Sequence, residues 1–597
     1  MGLTLALQHR VPRAALRGVR RWLYVGDDPT FELAALERVA TADVTMARAR
    51  ELRGPYLEAI GDLSALNDSP EWWASHLAAK HPYPSLFARL CGLAAGRELA
   101  QDGTLIVCST PAQLAELARE LPGARAIGVT GAGLRRRAPA DAVRLAWPAL
   151  RLLGERAPDR VRGALTGGDT PARFALERTP GHRRRVLEAL GATPLRDFSG
   201  EGTVLLVTWL DKRSFGETGA YTDPHLGPLG TMMAERGLRV ARLVKVLLHA
   251  GFEQVARALL ATRERAVFPD SYLSSADWRA CEQRVARFTA AIPDSTRVGG
   301  LPFARLAREY MGEHARAQVD ALSHETLIRR LAEAGVRPER IVFPWEGHAW
   351  EQVLIGAAHA HMPGCRIVGY DNLNFSSLAL SLFPSAGEVG IRPLPDVVVT
   401  NGPTFSEVLR ASAFPDDRIR TGCALRHPHL WDAPASPARD EGFFLAAGSI
   451  DTGQSIELLR KASAAFGDEL LVRLHPASDA RRISGALPSG VRYSDEPLSE
   501  LLGRARMMLY TYSVVPYEAL AAGTPPVFVR SESMLDLDQL EPSPDVRWVA
   551  RTPQDLRRVA GEIASMPDRT GWERRAREVV RLALAPAGPG CLEQFLA

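Results

Sequence analysis

The sequence predicts an α/β chain of parallel-sheet units, preceded by an α/β extension that carries a helical insertion. Three observations predict it. Between residues 200 and 530, short apolar runs of strand length, among them TVLLVTWL, RIVFPW, FFLAAG and MMLY, alternate with stretches of helical period. Each run ends in polar or small residues, as parallel strands do where their carboxyl ends open on a ligand crevice. The composition, 46% hydrophobic and 24% charged over 597 residues, is that of a globular chain with room for roughly two to four domains.

The same composition excludes several classes. A net charge of only +4 makes no demand for a nucleic-acid partner. The six cysteines are scattered with no CxxC spacing. That argues against a zinc knuckle, a redox motif or a disulfide framework, and fits a reducing cytosol. No run approaches the roughly 18 apolar residues of a membrane span. The N-terminus puts a short apolar stretch before its basic residues, the reverse of a secretion signal. The expectation is a cytoplasmic protein with no metal site.

Residues 1–195 read as the extension. RWLYVG and GTLIVCST are strand-like, and the second feeds the helical pattern AQLAELARELPG, which closes on Gly123. WWASHLAAK and SLFARLCGLAAGREL are helical, and Asn67, Trp72 and Trp73 either line a pocket or belong to the core. Residues 125–185 are rich in arginine, with triplets at 135–137 and 183–185. Residues 143–165 place Leu, Trp and Val at helical spacing with Arg on the other faces. Such a stretch either lies on an anionic membrane face or packs on its own domain.

Residues 196–430 form the next unit. TVLLVTWL leads into a polar loop, residues 211–228, at a strand's carboxyl end. Its Asp211, Lys212, Arg213, Tyr221 and Asp223 are candidate reaction or acceptor residues, although a Gly/Pro-rich connector reads the same way. A helix over 230–236 and a strand through 243 complete a βαβ start. Residues 252–334 read as one long helical stretch stopped by Gly335. A strand over 340–345 then delivers Glu346 to a turn, a helix spans 350–361, and a strand over 366–370 ends at Asp371 and Asn372. A helix over 404–412 and RIRTGCALR close the unit.

Residues 431–597 form the last unit, opening on a strand at 442–448 that turns into its helix through Ser449 and Asp451. The organising stretch is 471–529. In LVRLHPAS a strand ends at His475 and Pro476; in MMLYTYSVVPYEALAAG another ends at Thr511 and Ser513. Ser513 reads as the N-cap region of the helix that runs through Tyr517 to Ala522, with Pro516 at an early helical position. A helix start of this kind is an anion site, so phosphate is its natural occupant, and Glu518 suits a ribose diol. The plain alternatives are a histidine satisfied within the fold and a serine that only caps. From Thr552 onward the chain is helical and Arg-rich.

His-Pro after one strand, Ser with Glu five residues on after the next, then AAGTPPV resembles the donor half of GT-B glycosyltransferases. More narrowly it is similar to bacterial sialyltransferases, capsule Kdo transferases and related surface-carbohydrate proteins. Residues 343–426 resemble O-antigen biosynthesis proteins. Glu346, Trp350, Glu351, Gly369, Tyr370, Pro393, Pro395, Asp396, Gly402, Gly422 and Arg426 match, while Asp371-Asn372 stands where that family shows Gln-His. DKRSF and YTDPHLGPL match as well, so the resemblance covers roughly residues 200–530. It implies a GT-B pair of Rossmann-like domains facing a cleft, 196–430 on the acceptor side and 431–597 on the donor side, with C-terminal helices crossing back to the first.

The resemblance implies a metal-independent glycosyltransferase of O-antigen, capsule or lipopolysaccharide assembly. Its donor would be a CMP-activated ulosonic acid (Kdo or a sialic-acid relative), its acceptor a glycan or a lipid-linked saccharide. No cofactor and no nucleic acid are expected, and peripheral contact with the inner membrane is. His475, Pro476, Thr511, Ser513, Glu518 and Ser449 would hold the nucleotide. Glu346, Asp211 or Asp371 would act at the anomeric carbon, with Asn372 beside them. Glu346, following an apolar strand, is expected to have a raised pKa. Three rivals share the architecture: a CDP-glycerol-type glycerophosphotransferase, a nucleotide-sugar epimerase and a catalytically silent scaffold, the last kept open by Asp371-Asn372.

Overall fold

The computed structural model describes residues 3–597 other than 9–10, 12–15, 17, 34–35, 128–178, 211–213, 217–218, 248–250, 373–374, 427, 432–441, 476–477 and 589. Three parallel sheets organise the chain. The first comprises β1 (Thr4–Leu7), β2 (Arg21–Tyr24), β3 (Glu37–Arg38), β4 (Thr104–Cys108) and β5 (Arg125–Ile127), in the order β3-β2-β4-β1-β5. The middle sheet is built from β6 (Ser199–Leu210), β7 (Arg239–Val246) and β8 (Ala266–Val267), then, after a small hairpin of β9 (Arg297–Val298) and β10 (Leu301–Pro302), from β11 (Arg337–Pro344), β12 (Arg366–Asp371), β13 (Val397–Thr400) and β14 (Ile419–Thr421). The C-terminal sheet holds β15 (Phe444–Ala447), β16 (Leu470–Arg473), β17 (Arg492–Tyr493), β18 (Met507–Tyr510), β19 (Pro526–Val529) and β20 (Trp548–Ala550).

Runs such as β13, β15, β18 and β19 are buried along their whole length, because helices cover both faces of a parallel sheet. The middle order is β14-β13-β12-β11-β6-β7-β8 and the C-terminal order β17-β16-β15-β18-β19-β20. In each, the chain starts at an inner strand, builds outward on one side, then returns to build on the other. Both are therefore Rossmann-like, with a topological switch point between β6 and β11 in one and between β15 and β18 in the other. Ligands of such sheets lie at the carboxyl ends beside the switch point.

Several expectations are corrected. Residues 252–334 are not one helical stretch: helices Phe252–Leu260, Ser275–Arg287, Ala304–Glu313 and Ala315–Glu333 are separated by β8 and the hairpin. Cys423 and Cys591 are disulfide-bonded across 168 residues. No local spacing signals that pair, since only the return of the C-terminal segment to the middle sheet brings the two together. Around it, Ala424 N–H donates to Ala585 and Ala585 N–H to Asn401, and the Phe595 ring packs 5.5 Å from Tyr370. Gly402 permits this return, because a Cβ there would lie 2.6 Å from the Leu582 carbonyl oxygen.

The membrane reading of the Arg-rich stretch lies mostly outside the described residues. Of its second triplet, Arg183 sits 5.1 Å over the Phe252 ring and Arg184 pairs with Glu188. No described helix is long and apolar enough to cross a membrane. Trp72 and Trp73 are core residues, and Asn67 bridges to the Ala291 backbone.

The first unit touches both others. Asp43 pairs with Arg530 and Arg551, and Arg53 donates to the Ser377 carbonyl. Lys80 Nζ binds both Glu388 oxygens at 2.7 Å with both side chains fully buried. The middle and C-terminal units meet where Glu541 accepts from Ser376 Oγ and from the Ser377 hydroxyl and N–H.

Candidate functional site

On the middle wall, β11 delivers Glu346 beside the switch point. Gly347, in the left-handed region at φ +74°, packs so closely on the Ser381 backbone that no side chain fits. The turn is then held from below: Glu351 Oε2 accepts the N–H groups of Glu346, Gly347 and His348 at 3.0, 2.8 and 3.1 Å. It also folds His348 back, so that its Nε2 lies 2.9 Å from Glu346 Oε2.

This pairing overturns the expected ionisation of Glu346. Burial pushes its pKa up, but the His348 hydrogen bond and the charges of His348, His225 and Arg426 outweigh burial and leave it lowered. Glu346 still keeps 31% of its side-chain surface exposed, as a group on a concave wall does. His348 moves the other way: burial lowers it, the Glu346 hydrogen bond and charge raise it, and the net is upward. Glu351 beneath is pushed up to about 7 by burial.

Beside them, Asp371 ends β12 and Asn372 follows, each 1% exposed. Asn372 Nδ2 lies 3.4 Å from His225 Nδ1, and its Oδ1 has no hydrogen-bond partner among the described residues. Asp223 is engaged by its own loop. Its carboxylate, 3% exposed, accepts from Thr208 Oγ1, Tyr221 Oη and the N–H groups of His225 and Leu226, so it shapes the loop that presents His225. Tyr221 is held in the same network, under the Arg242 guanidinium. Asp211, Lys212 and Arg213 lie outside the described residues, as does Pro476.

On the C-terminal wall, His475, Ser449 and Thr511–Ser513 follow the adjacent strands β16, β15 and β18. Two strand spacings, about 10 Å, therefore separate the His475 and Ser513 turns. Ser449 lies between them, 1% exposed, its hydroxyl occupied by Gln454 and the Asp451 N–H. The His475 carbonyl accepts the Ser478 N–H and hydroxyl. Ser513 is not the N-cap. Helix Val515–Ala521 is capped at Val514, Ser513 Oγ only approaches the Val515 N–H at 3.4 Å, and Pro516 occupies the early position expected of it. Thr511 is buried. Glu518, half-buried, is pushed up to about 7 by burial against the opposing charge of Arg426.

Electrostatic coupling ties the two walls together. Burial raises the Tyr512 hydroxyl pKa, and the Glu346 charge across the cleft raises it further. The Asp371 charge reaches Tyr517, and Arg426 acts on both Glu346 and Glu518. Acids, histidines and one guanidinium thus converge where two sheets present their carboxyl ends. The sequence reading missed His348, His225 and Tyr512. Two local signals were present: His348 is two residues from Glu346, and Tyr512 lies between two named residues. Arg426 was noted only as a motif match, because its closeness to Glu518 is a contact between units.

No protein-family model matches the chain, and no curated protein matches it. Solved structures do resemble it in part. The calicheamicin glycosyltransferase CalG4 is 16% identical, covering 66% of this chain and 98% of its own, with a TM-score of 0.39. Arabidopsis thaliana UGT89C1 complexed with quercetin is 14% identical over 66% and 98%, at 0.39. The UDP-GlcNAc 2-epimerase from Neisseria meningitidis bound to UDP-GlcNAc is 12% identical over 66% and 99%, also at 0.39. At such identities and scores they say nothing about chemistry.

Proposed function

We propose that the chain is a glycosyltransferase whose cleft, between the middle and C-terminal sheets, takes a nucleotide-activated sugar. The observation that carries this reading is that Glu346 and Asp371 on one sheet, and Ser449 and Thr511–Ser513 on the other, end strands beside the switch points of two Rossmann-like sheets, with Glu346 close enough to act on Tyr512 and Arg426 on Glu518. His475, Ser513 and Arg426 supply donors for the departing phosphate, and Glu518 accepts from the ribose. Because helix Val515–Ala521 has only seven residues, the side chains carry more of the anion's charge than the helix end does. Glu346, held ionised by His348, takes the proton of the attacking acceptor hydroxyl as the nucleotide leaves. With side-chain cations on the phosphate, transfer is metal-independent, which undiminished turnover in a chelator checks.

The finer reading follows the sequence resemblance. The donor is a CMP-linked ulosonic acid of the Kdo or sialic-acid class, and the acceptor a glycan or lipid-linked saccharide of a bacterial surface polysaccharide, reached at the inner face of the inner membrane. A screen of nucleotide release from CMP-, CDP-, UDP- and GDP-linked donors tests it: release from CMP-sugars supports it, and release from UDP-sugars alone refutes the donor class.

A second reading rests on the number of acid/base groups at the site. Glu346, His348, Asp371 and Glu518 are more than one transfer step needs, and they suit an epimerase, which must remove and return protons. Isomerisation of a nucleotide sugar without release of nucleotide would select it.

A further inference from the structure

We propose that the N-terminal unit supplies a residue of the reaction site: His81 is a positioning residue whose ring packs on His348 and holds it against Glu346. The proposal rests on the reading of Glu346 as a site carboxylate. The ring centroids of His81 and His348 lie 5.1 Å apart. Behind His81, His76 stacks at 4.2 Å with its ring 6° from parallel, and His314 stacks on His76 at 4.9 Å. Three rings from two other elements thus back the one that pairs with Glu346. Without them, His348 could swing on its χ angles and Glu346 would lose its partner.

The loop carrying His81 is fixed to all three units. Lys80 adopts φ +51°, a left-handed conformation that a non-glycine residue holds only where its surroundings impose it. Here they do: its ammonium is locked on Glu388 of the middle unit. Tyr310 Oη donates to the Pro84 carbonyl, and Tyr83 Oη donates to Asp451 in the turn after β15. A strained residue clamped from several sides beside a cluster of titratable groups is the pattern found at functional sites.

His81 is also fixed in its tautomer, because its Nδ1 accepts the Tyr83 N–H at 3.3 Å. Burial and the neighbouring histidines hold His81 and His76 neutral, His76 down to about 4. The groups acting on His348 are Glu346 and Glu351, which raise it, and Lys245, which lowers it. A neutral ring at position 81 leaves that balance intact, whereas a charged one would disturb it.

The test uses the full-length chain. The His348 resonance, identified by its loss in His348→Gln, is titrated by NMR in wild type, His81→Phe and His81→Arg. His81→Phe keeps a neutral ring and should leave the titration within about 0.3 pH unit. His81→Arg places a guanidinium, which stays charged when buried, beside His348 and should lower its pKa by at least about one unit. Turnover supplies the second readout: His81→Ala should lower it ~10- to 100-fold at unchanged nucleotide affinity, with His81→Phe restoring most of it. An unmoved His348 titration in His81→Arg would overturn the proposal. So would His81→Ala and His81→Phe losing nucleotide affinity and thermal stability together, which marks a packing residue. If no activated sugar is turned over, the glycosyltransferase reading falls, and His81 is still judged by the titration.

Discussion

At the scale of single residues, the site depends on how two neighbours set each other's charge. Glu346→Gln should lower turnover by at least ~100-fold while nucleotide binding holds, since the amide can no longer take a proton. His475→Ala should lower turnover ~100- to 1000-fold with the chain still folded, as expected for one donor to a charge that grows in the transition state. The pair also predicts a pH dependence. His348 has a folded pKa above its ordinary 6.5, so its contribution to stability is complete below pH 6.5 and disappears as pH rises through the folded value. Urea unfolding at pH 6 and pH 8.5 should show wild type losing stability across that window and His348→Gln losing less. Glu346 was legible in the sequence because an acid directly after an apolar strand falls in the crevice of a parallel sheet. Its ionisation was not, because that depends on Gly347 folding the chain tightly enough to bring His348 onto it.

At the scale of elements, the strands read from TVLLVTWL, RIVFPW, FFLAAG and MMLY were legible to within a few residues because buried parallel strands are continuous apolar runs, whereas β1 was read only as a short apolar start. Helix Pro111–Glu120 was legible from the helical period of AQLAELARELPG, which Gly123 closes. The stretch 252–334 was misread because β8 and the β9–β10 hairpin are two-residue strands, too short to interrupt a helical period. The Ser513 cap was misread because Val514 intervenes and the helix starts one residue later. The element that matters most is the turn before helix Ala349–His361, organised by one buried carboxylate. Glu351→Ala leaves three backbone N–H groups without their acceptor, and should cost roughly 3 kcal/mol in denaturant unfolding and remove activity. Glu351→Gln, which keeps one acceptor oxygen, should recover part of both; equal loss in the two variants would mean that the charge, not the hydrogen bonds, orders the turn.

At the scale of the whole molecule, the contacts between units are what the sequence could not show. Asp43 with Arg530 and Arg551, Lys80 with Glu388, and Cys423 with Cys591 each join residues more than 150 positions apart. The Lys80–Glu388 pair is fully buried, so removing one partner strands a charge. Lys80→Met should destabilise the chain by roughly 3–5 kcal/mol, and adding Glu388→Leu should return most of that, as read from melting temperatures. An additive loss in the double variant would mean that the pair does not interact.

The cleft as a nucleotide-sugar site is tested most directly by titration calorimetry of the full-length chain with CMP, CDP, UDP and GDP, in wild type, His475→Ala and Arg426→Ala. The predicted result is binding of one nucleotide per chain with a preference for CMP, weakened at least ~10-fold in each variant, since each removes a donor to the phosphate. Absence of binding for all four nucleotides, or binding equally tight in both variants, would contradict it.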